Sequence, residues 1–238
     1  MALATQADEP QKSPPVSSYA PAEDLTAQVD YFIKHMDEAL TNKADYDDVK
    51  KTTVERDSNT LAVIALLLAM HDQDHKLKAS ASAILKRAQE LAENGDDFNT
   101  ASAALAELKK AVAETTTHQA DPPKWEAVAA MSPLMKQVPV IHAPMKRGAT
   151  DARRFKRQAA QTAGQAATLA AIAQAATYNT DHATEEQIPQ WEKFCAQMRD
   201  AAGAVNSAAR TGDAAKAAQA ILALQKSCDD CHAVFHSE

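Results

Sequence analysis

The chain has 238 residues, of which 45% are apolar, 24% charged and 5% aromatic. Its 5 glycines are about 2% of the total, against roughly 7% in ordinary proteins, so glycine-rich phosphate loops and glycine-turned β architectures are excluded. Lys+Arg 25 against Asp+Glu 32 gives a net charge of −7, which disfavours a nucleic-acid binder. The longest apolar run, Leu61 to Met70, is shorter than the roughly 20 residues of a membrane span and reads as a buried helix.

The N-terminus lacks the basic start and long apolar stretch of a full signal peptide. Thr5-Gln6-Ala7 before Asp8 still resembles the small-residue end of one. Residues 8–22, with Pro10, Pro14, Pro15 and Pro21, read as a polar, extended leader.

From Asp24 the pattern is helical. Val29, Phe32, Met36 and Leu40 recur at intervals of three or four and predict a first helix from Leu25 to Leu40. A second spans about Asp47 to Met70. A third covers Ser80 to Glu93 and stops at Asn94-Gly95. The fourth follows Asp96-Asp97 and aligns Phe98, Ala101, Leu105, Leu108 and Val112 on one face. A break at Thr115-Thr116-Thr117 and Pro122-Pro123 marks a domain boundary.

The second half repeats this order. Leu61-Ala62-Val63-Ile64-Ala65 has its echo in Leu169-Ala170-Ala171-Ile172-Ala173, and Asn94-Gly95-Asp96 in Thr211-Gly212-Asp213. With one extra residue in the first loop, Leu105, Leu108 and Lys110 fall opposite Ile221, Leu224 and Lys226. The shared order points to a duplication, with Gly95 and Gly212 as matched breaks between helices. Four helices per half, joined by short loops, give an all-α chain of two tandem antiparallel four-helix bundles. The divisions are a leader at 1–22, a first bundle at 23–120 and a second at 121–238. Pro133, Pro139 and Pro144 predict that the first helix of the second half is short, kinked or partly extended.

Near the C-terminus stands Cys228-Asp229-Asp230-Cys231-His232, a C-x-x-C-H pattern of covalent haem attachment. On a helix, residues three and four apart share a face. Two thiols can then form thioethers with the haem vinyl groups while the imidazole of His232 reaches the iron. Ala214, Ala217, Ile221, Leu224, Cys228, Cys231 and Phe235 continue one apolar stripe, with Asp229 and Asp230 off it. A thioredoxin-like dithiol would need a βαβ setting, and a zinc site would need further ligands, the one other cysteine being Cys195.

The motif at the end of the last helix, followed by Ala233-Val234-Phe235, resembles the class II c-type cytochromes, the cytochrome c-prime group. Leu134-Met135 through Pro144-Met145-Lys146-Arg147-Gly148 resembles the end of that family's first helix, and Thr150-Asp151-Ala152 to Phe155 the start of its second. The resemblance is confined mainly to the C-terminal half. It departs from the family at His236, where a basic Arg or Lys is usual. It implies one covalent haem c on a four-helix bundle, with Cys228 and Cys231 attached, His232 as proximal iron ligand, and Phe235 against the group. It implies a distal residue from the first helix, where Met131, Leu134 and Met135 are all candidates. A bulky apolar residue would leave iron five-coordinate; a methionine, such as Met135, would make a sixth ligand. Val112, Thr115 and Thr116 stand opposite Cys228, Cys231 and His232, so the first bundle is expected to carry no haem.

Among the remaining residues, Cys195 reads as a small buried hydrophobe, and His71 and His75 as a solvated helix end. His142 reads as a surface loop residue, with a ligand or gating role as its sharper alternative. Trp125 and Trp191 read as packing residues. Lys109-Lys110 and Lys146-Arg147 read as solvated faces, or as a basic patch near a haem edge that docks an acidic partner.

The expected function is electron transfer with a redox partner protein, without enzymatic activity. The alternative is binding of nitric oxide or carbon monoxide at an open distal site. A peroxidase-like enzyme lacks the distal His–Arg pairing. No nucleic acid and no membrane span are expected, and a homodimer is allowed. The family's thioethers are made outside the cytoplasmic membrane, so the resemblance implies a periplasmic or otherwise extracytoplasmic protein and favours Thr5-Gln6-Ala7 as a signal remnant.

Overall fold

The computed structural model describes residues 13–47, 51–114 and 124–235, and these are all helical or loop, with no strand among them. Four helices form the first half. They are α1 (Ala22–Ala39), α3 (Lys51–Ala69), α4 (Ala81–Asn94) and α5 (Phe98–Ala113), with a single turn, α2 (Lys43–Asp45), between the first two. The second half supplies α6 (Met131–Gly148), α8 (Ala159–Ala176), α9 (Ile188–Thr211) and α10 (Ala214–Phe235), with the short α7 (Ala152–Arg157) ahead of α8. The domain break predicted at Thr115–Thr117 and Pro122–Pro123 lies outside the described residues, as do Thr5-Gln6-Ala7 and His236.

The helices begin where the side chains can cap them. Asp97, Asp151 and Asp213 accept hydrogen bonds from the backbone N–H groups of Thr100 (2.9 Å), Arg154 (2.7 Å) and Lys216 (3.0 Å), satisfying donors that the first turn leaves unpaired. These bonds hold the Asp97 and Asp213 carboxyls below their ordinary range. The two breaks before α5 and α10 share position and cap, but not backbone. Gly212 takes the left-handed conformation, φ 69°, whereas Gly95 stays at φ −73°.

Two helices have stretches buried on every side and there run through the interior. In α3 every residue from Leu61 to Leu68 is buried, and in α8 the same holds from Ala166 to Ala176. Around them the packing pattern of the first half recurs in the second. α3 lies on α1 and α4, and α4 on α5; α8 lies on α6 and α9, and α9 on α10. Between the halves α1 packs on α8, α3 on α6, and α3 on α8. Such reciprocal pairing is the pattern of an isologous two-fold contact, here made within one chain. The two sets share one core: a single apolar cluster extends from Val16 and Leu25 through Ile64 and Leu169 to Ile221 and Leu224.

Polar groups also join the halves. Asn206 on α9 donates from Nδ2 to Asp24 Oδ2 and to the Ala163 carbonyl, both at 2.8 Å, and Arg210 pairs with Glu23 and Asp24. Thr168 donates to Gln28 Oε1 at 3.2 Å. The close approach uses Gly164, where a Cβ would stand 2.3 Å from Gln28 Nε2.

Three expectations are corrected. The polar, extended leader does not continue to residue 22: Val16–Ser18 form a 3-10 turn, and Val16, Tyr19 and Ala20 are buried. Their spacing of three and one is that of a helical face. The proline-bearing segment is neither short nor extended but an 18-residue helix, α6. Pro133 sits in its first turn, where no N–H is needed, and burial of Leu134, Ile141 and Met145 offsets the hydrogen bonds missing at Pro139 and Pro144. His71 is no solvated helix end. It is buried, with Nε2 3.2 Å from the Ala20 carbonyl and Nδ1 accepting from Gln73 N.

Candidate functional site

The motif lies on the last two turns of α10. From Ala217 to Leu224 its apolar stripe is buried, at Ala217, Ile221 and Leu224; beyond that Cys228, Cys231 and Phe235 are half-buried. His232 is exposed, and the exposed Asp229 and half-buried Asp230 are engaged along the helix by Gln225 (2.8 Å) and Lys226 (2.7 Å). All three cysteines are free thiols. Burial pushes the thiols of Cys228 and Cys231 up, that of Cys231 to about 11, with the neighbouring Cys228 adding to it.

Beside this turn stands a separate apolar cluster. Met131 from α6, Ala176 from α8, and Trp191 and Cys195 from α9 form its buried part, against which Met135, Ala183, Cys231 and Phe235 pack. Trp191 donates Nε1–H to the Ala176 carbonyl at 2.8 Å, so its indole is anchored to α8. The Phe235 ring meets Trp191 and Phe194 edge-on at 5.1 Å and 6.2 Å between centroids.

Of the residues that the sequence singled out, the cluster brings together Cys231, Phe235, Met131 and Met135. Leu134 turns instead into the main core, while Cys228 and His232 lie on the same helical turns outside the cluster. Met131 and Met135, one turn apart on α6, remain the two candidates beside Cys231. Trp125 stacks on Tyr178 at 5.7 Å, well inside packing range.

One other expectation changes. His142 is not on a surface loop but buried on α6, near the Ile221 carbonyl, with no hydrogen-bond partner for Nε2 among the described residues. Burial depresses its pKa. Lys146 and Arg147 end α6 fifteen residues beyond Met131, about 22 Å along the axis. They lie in its last turn, one turn beyond His142, which feels the charges of both Lys146 and the motif residue Asp229. Sequence reasoning also passed over the neighbour of Cys231: Cys195, read as plain core, shares the cluster with it.

The donor set fits a covalently held haem. Two free thiols three residues apart and an adjacent imidazole are the groups such a cofactor requires, an apolar cluster lies against one of the thiols, and two methionines of α6 stand in or against that cluster. A c-type haem bundle is the class with which the fold and donor set of this half are compatible.

Comparison with known proteins agrees. Residues 124–236 match the family model of Cytochrome C′, so the resemblance to the class II c-type cytochromes holds for the C-terminal half. That family implies covalently bound haem c, and its members are typically extracytoplasmic. No curated protein and no solved structure matches the chain. Among the described residues no helix is long and apolar enough to cross a membrane.

Proposed function

We propose that the chain is a mono-haem c-type cytochrome for electron transfer in the periplasm. Cys228 and Cys231 would hold haem c by thioether links, His232 would be its proximal iron ligand, and a methionine of α6, Met131 or Met135, would supply a second ligand. Bound there, haem c supplies a one-electron iron couple. The chain's own residues set its surroundings. Trp191, Phe235 and Ala176 exclude water beside Cys231, and the Trp191–Ala176 hydrogen bond fixes the indole in place. Met131 and Met135 present thioether sulfurs from α6, which suit a six-coordinate carrier better than an open gas site. That placement is the observation that carries the reading. A separate redox protein is the partner, and the chain is not an enzyme.

Absorption spectra of the ferric and ferrous holoprotein, with and without carbon monoxide, test it. Electron transfer predicts a six-coordinate spectrum that either Met131→Ala or Met135→Ala converts to a high-spin form. A high-spin ferrous form in the unaltered protein, with ready carbon monoxide binding, overturns it in favour of gas binding.

A further inference from the structure

The helical hairpin of α9 and α10 closes on two residues, Gly212 and Asp213, so the helices run antiparallel and equal distances from the turn lie side by side. Cys195 is sixteen residues before the end of α9 at Thr211, and Cys231 seventeen after the start of α10 at Ala214. Each is thus about 24–26 Å from the turn at 1.5 Å per residue. The same register sets Trp191 against Phe235, whose rings touch. Both cysteines belong to one apolar cluster, and Cys231 is near enough to add to the rise of the Cys195 pKa, chiefly set by burial, to about 12.

Cys228 is the nearer neighbour in sequence, three residues away on the same helix. Residues three apart on a helix hold their Cβ atoms about 5–6 Å apart, whereas a disulfide needs about 3.5–4.5 Å. Closing Cys228 onto Cys231 therefore distorts α10. Closing Cys195 onto Cys231 joins two packed helices at equal height.

We infer that Cys195 is the disulfide partner of Cys231 in the haem-free chain, so that this bond, rather than one within the C-x-x-C-H motif, holds Cys231 before haem attachment. The attachment role of Cys231 rests on the function proposed above; the disulfide itself does not.

The chemistry is thiol–disulfide exchange with a small disulfide oxidant such as oxidised glutathione. Cys231, half-exposed, loses its proton and attacks one oxidant sulfur. The oxidant's S–S bond breaks, a mixed disulfide forms at Cys231, and one thiolate leaves. Cys195, too buried to meet the oxidant itself, then loses its proton and attacks the Cys231 sulfur, expelling the second thiolate. The two cysteines are oxidised by two electrons and the oxidant is reduced to two thiols. Haem attachment at Cys231 then requires that a dithiol reverse the step.

The test uses the full-length chain made without haem, together with its Cys228→Ser and Cys195→Ser variants. Each is equilibrated with oxidised and reduced glutathione in native buffer, alkylated, and mapped by mass spectrometry without reduction. Cys195–Cys231 is expected to exceed Cys228–Cys231 by about tenfold or more, the ratio supplied by only about 1.4 kcal/mol of extra strain. It is expected to persist in Cys228→Ser, while Cys195→Ser leaves Cys231 bound to glutathione. In guanidinium the preference is expected to pass to the short Cys228–Cys231 loop. Predominance of Cys228–Cys231 in native buffer, or a glutathione-bound Cys231 in Cys228→Ser, overturns the inference. A chain that never takes up haem but forms Cys195–Cys231 sinks the proposed function and leaves this bond standing.

Discussion

The indole of Trp191 on α9 and the ring of Phe235 on α10 meet edge to face, with centroids 5.1 Å apart and planes at 89°. Because Trp191 also donates to the Ala176 carbonyl at 2.8 Å, this pair ties the motif-bearing end of α10 to both α8 and α9. Edge-to-face pairs contribute about 0.5–1.5 kcal/mol beyond their buried area. Trp191→Phe keeps a ring but removes this hydrogen bond, the Ala176 carbonyl retaining the Asn179 N–H at 3.0 Å, and is expected to cost about 0.5–1.5 kcal/mol. Trp191→Ala is expected to cost about 3–5 kcal/mol. Urea denaturation of the two variants checks this; midpoints equal to that of the unaltered chain in both would show that neither the ring nor the bond matters.

A second prediction concerns pH. Asp57 is fully buried on α3, and its Oδ2 lies 2.5 Å from His35 Nδ1, with Arg56 on its other oxygen at 3.2 Å. The hydrogen bond to Asp57 raises the His35 pKa, against a smaller opposing effect of burial. A raised histidine contributes stability that is complete below the unfolded value of about 6.5 and is lost as pH rises through the folded value. The unaltered chain is therefore expected to lose its advantage over His35→Gln as the pH is raised above about 6.5. His75 and His142, both depressed by burial, act in the opposite sense, but they are common to both chains and cancel in the difference. Parallel denaturation midpoints for the two chains across this range would refute the coupling.

The third prediction separates the two matched breaks. At Gly212, φ 69°, an added Cβ meets nothing within 4 Å, so only backbone strain opposes a side chain. Gly212→Ala is expected to cost about 1–2 kcal/mol, read as a lowered denaturation midpoint with an unchanged slope. Gly212→Asn, which tolerates the left-handed region better, is expected to recover part of the loss. An unaffected Gly212→Ala protein would mean that the α9–α10 turn does not need this conformation.

Most of the helices were legible because their burial has a helical period. Val29, Phe32 and Met36 on α1, and Ala101, Leu105 and Leu108 on α5, are core residues in the structure as in the pattern. The cysteine motif was equally plain, since its spacing is itself the chemical signal. What escaped depends on contacts between distant segments. Prolines masked α6 although Leu134, Ile141 and Met145 repeat at seven and four. Val16, Tyr19 and Ala20 looked like leader because nothing local reveals that they join the main core. Burial of His71 was hidden by Asp72, Gln73 and Asp74, and that of His142 by the flanking Pro139 and Pro144, which suggested a loop. The meeting of Cys195 with Cys231 was within reach, since counting both ways from Gly212 brings them level, but it required treating α9 and α10 as one hairpin. That the halves share a core could not be read from either half alone.

The central claim is that Cys228, Cys231 and His232 hold one covalent haem. It is tested most directly by mass spectrometry of the full-length chain produced with a working c-type haem maturation system, followed by peptide mapping after acid extraction of loose haem. One haem mass per chain, retained on the peptide that carries both Cys228 and Cys231 and lost in a Cys228→Ala/Cys231→Ala variant, is the predicted result. An unaltered polypeptide mass, or haem that leaves completely on acid extraction, would contradict the account.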